Sequence, residues 1–264
     1  MENAQARVQA EAVWLSDTHL GTRGCRARQL LDFLRSLETS RLFLVGDILD
    51  FEAMRSTVYW PPVHGEVLHE IMRLSRQGTR VMYIPGNHDA ELRLFDGTDH
   101  RLIEIRRRHV HETRSGRRLL VTHGDEFDRD LRVGSMKERL GSAAYRWLVD
   151  MDAGLNRVRH RLGYRPVRMA STVKMRINAA MDYIHRFENT AIEYVRRQGL
   201  DGIVCGHIHR PAVRQAGDVI YCNDGDWVEH CTALVENREG RLGLVSWDGR
   251  AEPDLGEVEL GAVA

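Results

Sequence analysis

Ala12-Val13-Trp14-Leu15-Ser16-Asp17-Thr18-His19 is the stretch on which the reading of this chain turns. Its four apolar residues suit a short buried strand, and the run stops abruptly on polar side chains. The same pattern recurs twice. Leu42-Phe43-Leu44-Val45 stops at Gly46-Asp47, and Val81-Met82-Tyr83-Ile84 stops at Pro85-Gly86-Asn87. Helical periodicity separates the three runs, over 26–37 and 63–75. Strand, helix, strand, helix, strand with short connections predicts an α/β fold, a largely parallel or mixed sheet covered by helices. Open sheets of this kind place ligands just beyond the carboxyl ends of their strands. In this chain the polar residues fall at those positions.

Two shorter strands are expected at 109–113 and 118–122, with Ser115-Gly116 as the hairpin turn between them. From Phe127 to Arg197 the pattern is helical, with a break near Gly163 to Pro166. Strands resume at 202–205 and continue through 219–221, 232–236 and 242–246, with turns at Gly217-Asp218 and Glu239-Gly240. The tail after Trp247 is expected to be poorly ordered. The expectation is one domain over 1–264, with a helical cap insertion over 127–200.

A chain of 264 residues is long enough for a full hydrophobic core. Its 42% hydrophobic and 29% charged content is an ordinary soluble balance. The formal net charge of zero gives no field that would favour nucleic acid, so nucleic acid is not an expected partner. The basic stretches Arg106-Arg107-Arg108 and 114–118 read as solvated strand edges. Cys25, Cys205, Cys222 and Cys231 make no C-x-x-C pair, and Met1 to Ala10 is polar. A cytosolic chain with free thiols is therefore expected, and not a disulfide framework. No apolar run approaches the roughly 20 residues needed to span a bilayer.

Five motifs follow strand-like runs: Asp17-Thr18-His19, Gly46-Asp47-Ile48-Leu49-Asp50, Gly86-Asn87-His88-Asp89, Thr122-His123-Gly124-Asp125 and Gly206-His207-Ile208-His209. If their strands lie in one sheet or a packed pair, the five loops gather at one edge. Carboxylate and carbonyl oxygens suit hard divalent cations, while imidazole suits zinc, iron or cobalt. Two cations about 3.5–4 Å apart need a shared anionic ligand, and a central Asp can supply it. The two-residue step in Asp17-x-His19 and His207-x-His209 aims both side chains at one site. For Asp89 and Asp125, capping of the following turn and a place in the site stand equally open. Isolated histidines such as His64, His69, His100 and His185 read as satisfied surface or core residues.

In this order and spacing the five blocks resemble the calcineurin-like metallophosphoesterase superfamily, over about 12–236. The resemblance implies an α/β/β/α sandwich of two mixed sheets flanked by helices. It implies one metal on Asp17, His19, Asp47 and His209, and a second on Asp47, Asn87, His123 and His207. Asp47 and a hydroxide would bridge them. His88 would stay off the metals and steady the transition state or protonate the leaving oxygen, with Asp50 hydrogen-bonded to it.

Residues 131–188 hold twelve Lys or Arg against five Asp or Glu, and five of the nine methionines. Such an insertion before the Gly-His-x-His block resembles one branch of the superfamily, the UDP-2,3-diacylglucosamine diphosphatases of lipid A synthesis. That likeness implies manganese as the metal, a lipid-linked nucleotide as substrate, release of UMP, and peripheral contact with the inner membrane surface. Asn223-Asp224-Gly225-Asp226-Trp227-Val228-Glu229 also looks like a block common in related sequences, with an expected role in a turn beside the site. One departure is plain. The best-known members carry Arg after the metal-binding Asn, and this chain carries His88. The alternatives are a phosphomonoesterase or phosphodiesterase with a soluble substrate, a nuclease whose basic stretches track phosphates, and a non-catalytic module. Oligomeric state is open.

Overall fold

The first apolar run is continuous because both of its faces are buried. In β1 (Val8–Leu15), Val13 and Leu15 enter one core while Ala12 and Trp14 enter another. A strand covered on both sides has no polar face to alternate with. The computed structural model describes residues 7–99, 102–128, 170–247 and 254–256. Met1–Asp125 and Ala191–Ala264 form one compact unit, and Glu126–Thr190 a second.

In the first unit two mixed sheets are flanked by helices. The seven-stranded sheet runs in the order β12-β11-β10-β1-β2-β3-β4. Here β1 is parallel to β2 (Leu37–Leu44), which is parallel to β3 (Arg80–Tyr83), and β3 to β4 (Glu104–Ile105). On the other side of β1, β10 (Thr232–Glu236), β11 (Leu242–Ser246) and β12 (Asp254–Gly256) are successively antiparallel. The five-stranded sheet runs β5-β6-β7-β9-β8. Its centre, β6 (Arg118–Val121), β7 (Gly202–Cys205) and β9 (Val219–Asn223), is parallel. Its edges, β5 (His109–Glu112) and β8 (Ala212–Ala216), are antiparallel.

Trp14, Phe43, Val45 and Met82 from the first sheet share one core with Leu119, Val121, Val204 and Ile220 from the second. Trp14 and Phe43 stack there with ring centroids 5.3 Å apart. The other core joins the first sheet to α1 (Ala27–Ser36) and α3 (Pro62–Arg76) through Leu30, Leu34, Val67 and Ile71. The i, i+4 step from Leu30 to Leu34 and from Val67 to Ile71 is the one-sided spacing that seats a helix on a sheet. Burying each such side chain stabilises the fold by about 1.5–3 kcal/mol.

The expected fold class holds, and the differences are local. Helix α1 stops at Ser36 because Leu37 turns extended and begins β2 directly, several residues before the apolar run. Helix α2 (Phe51–Ser56) was not expected; Asp50 caps it by accepting from Ala53 N at 2.8 Å. Strand β8 carries no apolar alternation and is held by its ladder to β9. Strand β12 lies in the tail expected to be poorly ordered, where it pairs with the exposed edge of β11.

Of the expected helical insertion, α4 (Ala170–Arg197) is described, and residues 129–169 lie outside the described residues. Within the second unit Tyr183 donates its hydroxyl to Asp128 at 2.6 Å, and Phe127 and Phe187 meet edge to face. The four cysteines are free. No described helix is long and apolar enough to cross a membrane.

Candidate metal centre

The five motif loops follow β1, β2, β3, β6 and β7, each at a carboxyl end. Parallel pairing within each sheet brings these ends together, and backbone hydrogen bonds then tie loop to loop. Asp17 N donates to Gly46 O at 3.0 Å, His19 N to Asp47 O at 2.9 Å, and Gly206 N to His123 O at 3.1 Å. Phe51 N donates to His88 O at 3.1 Å.

Two carboxylates organise the centre in the same way. Each gives one oxygen to the backbone and turns the other toward imidazole nitrogens. Asp17 Oδ2 accepts from His207 N at 2.9 Å and from Ser16 Oγ at 2.5 Å, while its Oδ1 lies 3.1 Å from His209 Nε2 and 3.9 Å from His19 Nε2. Asp47 Oδ1 accepts from His88 N at 2.8 Å, while its Oδ2 lies 3.3 Å from His123 Nε2 and 4.0 Å from His88 Nε2.

The rings are oriented from behind. His123 Nδ1 lies 2.9 Å from Val45 O and so carries a proton there, which turns Nε2 toward Asp47. His19 Nδ1 lies 2.9 Å from Asp50 Oδ2, and His88 Nδ1 lies 3.0 Å from Asp50 Oδ1. Asp50 thus orients two rings at once, where the sequence reading expected only His88. His207 packs edge to face on His123, with ring centroids 5.2 Å apart. Asn87 lies exposed on the same loop, between Gly86 and His88.

Among the described residues, three groups of side chains place their ligand atoms within 4.8 Å of one another: Asp17 with His19 and His209, His19 with Asp47 and His88, and Asp17 with Asp47 and His123. His88, expected to stand off the metals, is a member of the second group. The backbone pays attention to the same residues. Asp17, His19, Asp47, His207 and His209 all adopt positive φ, between 48° and 68°. Left-handed backbone at a non-glycine residue costs about 1–3 kcal/mol and persists only where the surroundings over-determine it.

Glycine is required where the loops approach closely, as at Gly86 and Gly206. A Cβ on Gly86 would overlap Asp47 Oδ1, and one on Gly206 would overlap Ser16 Oγ and Asp17 Oδ2.

The electrostatics favour a cation. Burial pushes the Asp17 carboxyl up, but contact with His209 and the charge of His123 outweigh it and leave it below the ordinary range. Asp47 is likewise lowered, burial being outweighed mainly by His123. Burial pushes His123 down, yet the Asp47 charge outweighs it and holds the ring well above its usual value. Fully buried Asp17 Oδ1 and His123 Nε2 have no hydrogen-bond partner. A field that would keep a proton on a buried imidazole is one that a divalent ion satisfies, so the residues present fit a metal.

The sequence reading did not resolve what Asp89 does. It is fully buried and accepts from Gly86 N (2.6 Å), Ile48 N (2.9 Å), Leu49 N (3.3 Å) and Tyr83 OH (2.5 Å), which clasps two motif loops together. Asp125 accepts instead from Arg93 at 2.6 Å. His64 is a buried structural residue, its Nδ1 accepting from Gly21 N at 3.1 Å. In the basic stretches, Arg106 pairs with Glu104 at 2.7 Å and Arg114 with Glu11 at 2.7 Å.

Comparison with known proteins matches residues 12–211 to the model of the calcineurin-like phosphoesterase family. No curated protein matches the chain. Among solved structures, vacuolar protein sorting 29 from Cryptosporidium parvum is similar at 11% identity, covering 92% of this chain and 94% of that one, with a TM-score of 0.47. A novel archaeal phosphodiesterase is similar at 13% identity over 89% and 98%, TM-score 0.43. Yfce, a phosphoesterase from E. coli, is similar at 15% identity over 90% and 99%, TM-score 0.41. Likeness at these scores carries nothing about activity. Matched over most of its length, the chain belongs to the calcineurin-like phosphoesterases, a family that binds divalent metals, and is a hydrolase.

Proposed function

We propose that the chain hydrolyses phosphoester or phosphoanhydride bonds with two divalent cations. Asp17, His19, Asp47 and His209 would hold one, and Asp47, Asn87, His123 and His207 the other, with Asp47 shared. The observation that carries this reading is the facing of Asp17 Oδ1 and Asp47 Oδ2 toward the Nε2 atoms of His209 and His123, at 3.1 and 3.3 Å. When bound, such a pair supplies an activated water and neutralises charge on the phosphoryl oxygens.

The remaining steps belong to side chains of this chain. Asp50 accepts from His88 Nδ1–H and leaves Nε2 to carry the proton that the leaving oxygen needs. Burial pushes His88 down, but the bond to Asp50 and the charge of Asp47 outweigh it and raise the ring, which favours its acid form. Mixed nitrogen and oxygen donors accept manganese, iron, zinc or cobalt. Manganese is the proposed metal, on the resemblance to the diphosphatase branch.

As substrate we propose UDP-2,3-diacylglucosamine, cleaved to the lipid monophosphate and UMP at the cytoplasmic membrane face. The support is compositional: the Arg- and Met-rich segment over 131–188 suits an anionic diphosphate and flexible acyl chains. A second reading, a phosphomonoesterase or phosphodiesterase with a soluble substrate, is favoured by His88 standing where the best-known diphosphatases carry Arg. Incubation with manganese and each substrate separates them. UMP release from the diacylated substrate, and much slower release from deacylated UDP-glucosamine, is expected under the first. No UMP at enzyme levels that cleave an aryl phosphate would leave the second.

A further inference from the structure

Ser16 Oγ lies 2.5 Å from Asp17 Oδ2, 2.6 Å from Asp224 Oδ1 and 3.3 Å from Gly225 O. Ser16, Asp17 and Asp224 are all fully buried. A hydroxyl has one proton to donate, and here three acceptors surround it. Two ionised carboxylates cannot both close on that buried oxygen, since one of the two short oxygen–oxygen contacts would hold no proton. One carboxyl must therefore supply its own.

The surroundings say which. Asp17 receives His207 N–H on Oδ2 and faces His209 and His19 on Oδ1, so it is the anion. Among the described residues Asp224 has no basic side chain in contact, and its Oδ2 has no hydrogen-bond partner. The charged groups that act on it are Asp17 and, more weakly, His123. Burial pushes the Asp224 carboxyl well up, and the Asp17 charge acts in the same direction against the Ser16 contact.

We propose that Asp224 is a neutral carboxylic acid that donates to Ser16 Oγ, so that Ser16 donates to Asp17 Oδ2 and holds Asp17 with Oδ1 turned toward the cation site. This rests on the dinuclear reading of Asp17 given above. Ser16 and Asp224 are positioning residues and touch no reacting atom. A neutral acid supplies the donor without adding a second negative charge behind the ligand. The same turn clamps the His207–His209 loop, since Asn223 Nδ2 donates to Gly206 O at 2.7 Å and Asp224 N to Cys205 O at 3.1 Å. That gives the Asn223-Asp224-Gly225 block a use beyond turn packing.

The test compares the full chain with Ser16→Ala and Asp224→Asn, by manganese titration followed by electron paramagnetic resonance and by difference infrared spectroscopy. An Asn amide donates to Ser16 as the acid does, so Asp224→Asn should keep manganese affinity within about threefold, whereas Ser16→Ala should lose about 10–100-fold. The wild-type spectrum should carry a carboxylic-acid carbonyl band that Asp224→Asn removes. Manganese loss in Asp224→Asn as large as in Ser16→Ala, or absence of that band, overturns the inference. If Ser16→Ala does not fold, the band and the Asp224→Asn titration still decide. A wild type that binds none of manganese, zinc, iron or cobalt overturns the dinuclear reading and the positioning role with it, while the band reports separately on the Asp224 proton.

Discussion

Asp50 Oδ1 lies 3.0 Å from His88 Nδ1, and this contact joins the cap of a short helix to the ring proposed as the proton donor. The Asp50 charge raises His88. At saturating metal, Asp50→Asn should therefore move the alkaline limb of the kcat/KM profile to lower pH. His88→Ala should keep its metal and lose about 10²–10⁴-fold in kcat, while Asp47→Ala should lose metal and turnover together. Metal analysis of the two variants checks this. Equal metal loss would make His88 a ligand, as its grouping with His19 and Asp47 allows.

Gly206→Ala should be costly although the position is not left-handed. The added methyl would meet Ser16 Oγ and Asp17 Oδ2, so the loop or Asp17 must shift. Overpacking of this kind costs about 1–3 kcal/mol. Urea unfolding should show that loss together with weaker metal binding. An unchanged midpoint and metal affinity would mean the loop relaxes freely.

Asp89→Ala should destabilise the protein without removing a ligand. It leaves three backbone N–H groups and the Tyr83 hydroxyl without their acceptor. Each unsatisfied buried donor costs about 1–3 kcal/mol, so a loss of at least about 3 kcal/mol is expected by chemical denaturation. A variant as stable as wild type would show that water or a rearranged loop replaces the carboxylate.

His64 predicts a pH-dependent term. Burial pushes its pKa below the ordinary value, and the neutral ring accepts from Gly21 N. A base depressed in the folded state binds fewer protons there than in the unfolded chain. Its contribution is therefore fully present above about pH 6.5 and is lost as pH falls below that toward the folded value. With chelator present, so that metal linkage is absent, the stability gap between wild type and His64→Gln should narrow from about pH 7.5 to about pH 5.5. A constant gap would show that His64 does not titrate with folding.

Much of this was legible in the chain. Three apolar runs ending in Asp17, Asp47 and Asn87 announced parallel strands with a polar edge, because strand length, burial and sharp termination are local properties. Motif spacing announced candidate ligands for the same reason: Asp17 and His19 are brought to one group by the backbone between them. The separate role given to His88 and Asp50 came from the family resemblance, and the grouping of His88 with His19 and Asp47 leaves it for metal analysis to decide. What it left open was every relationship that depends on chain far away. Asp50 serving His19 as well as His88, Asp89 clasping the loop at Ile48, and Ser16 reaching Asp224 across 208 positions are products of sheet packing. No periodicity encodes them. A hydrogen bond between distant residues exists only once the strands that carry them have paired, and burial then decides which acids stay charged.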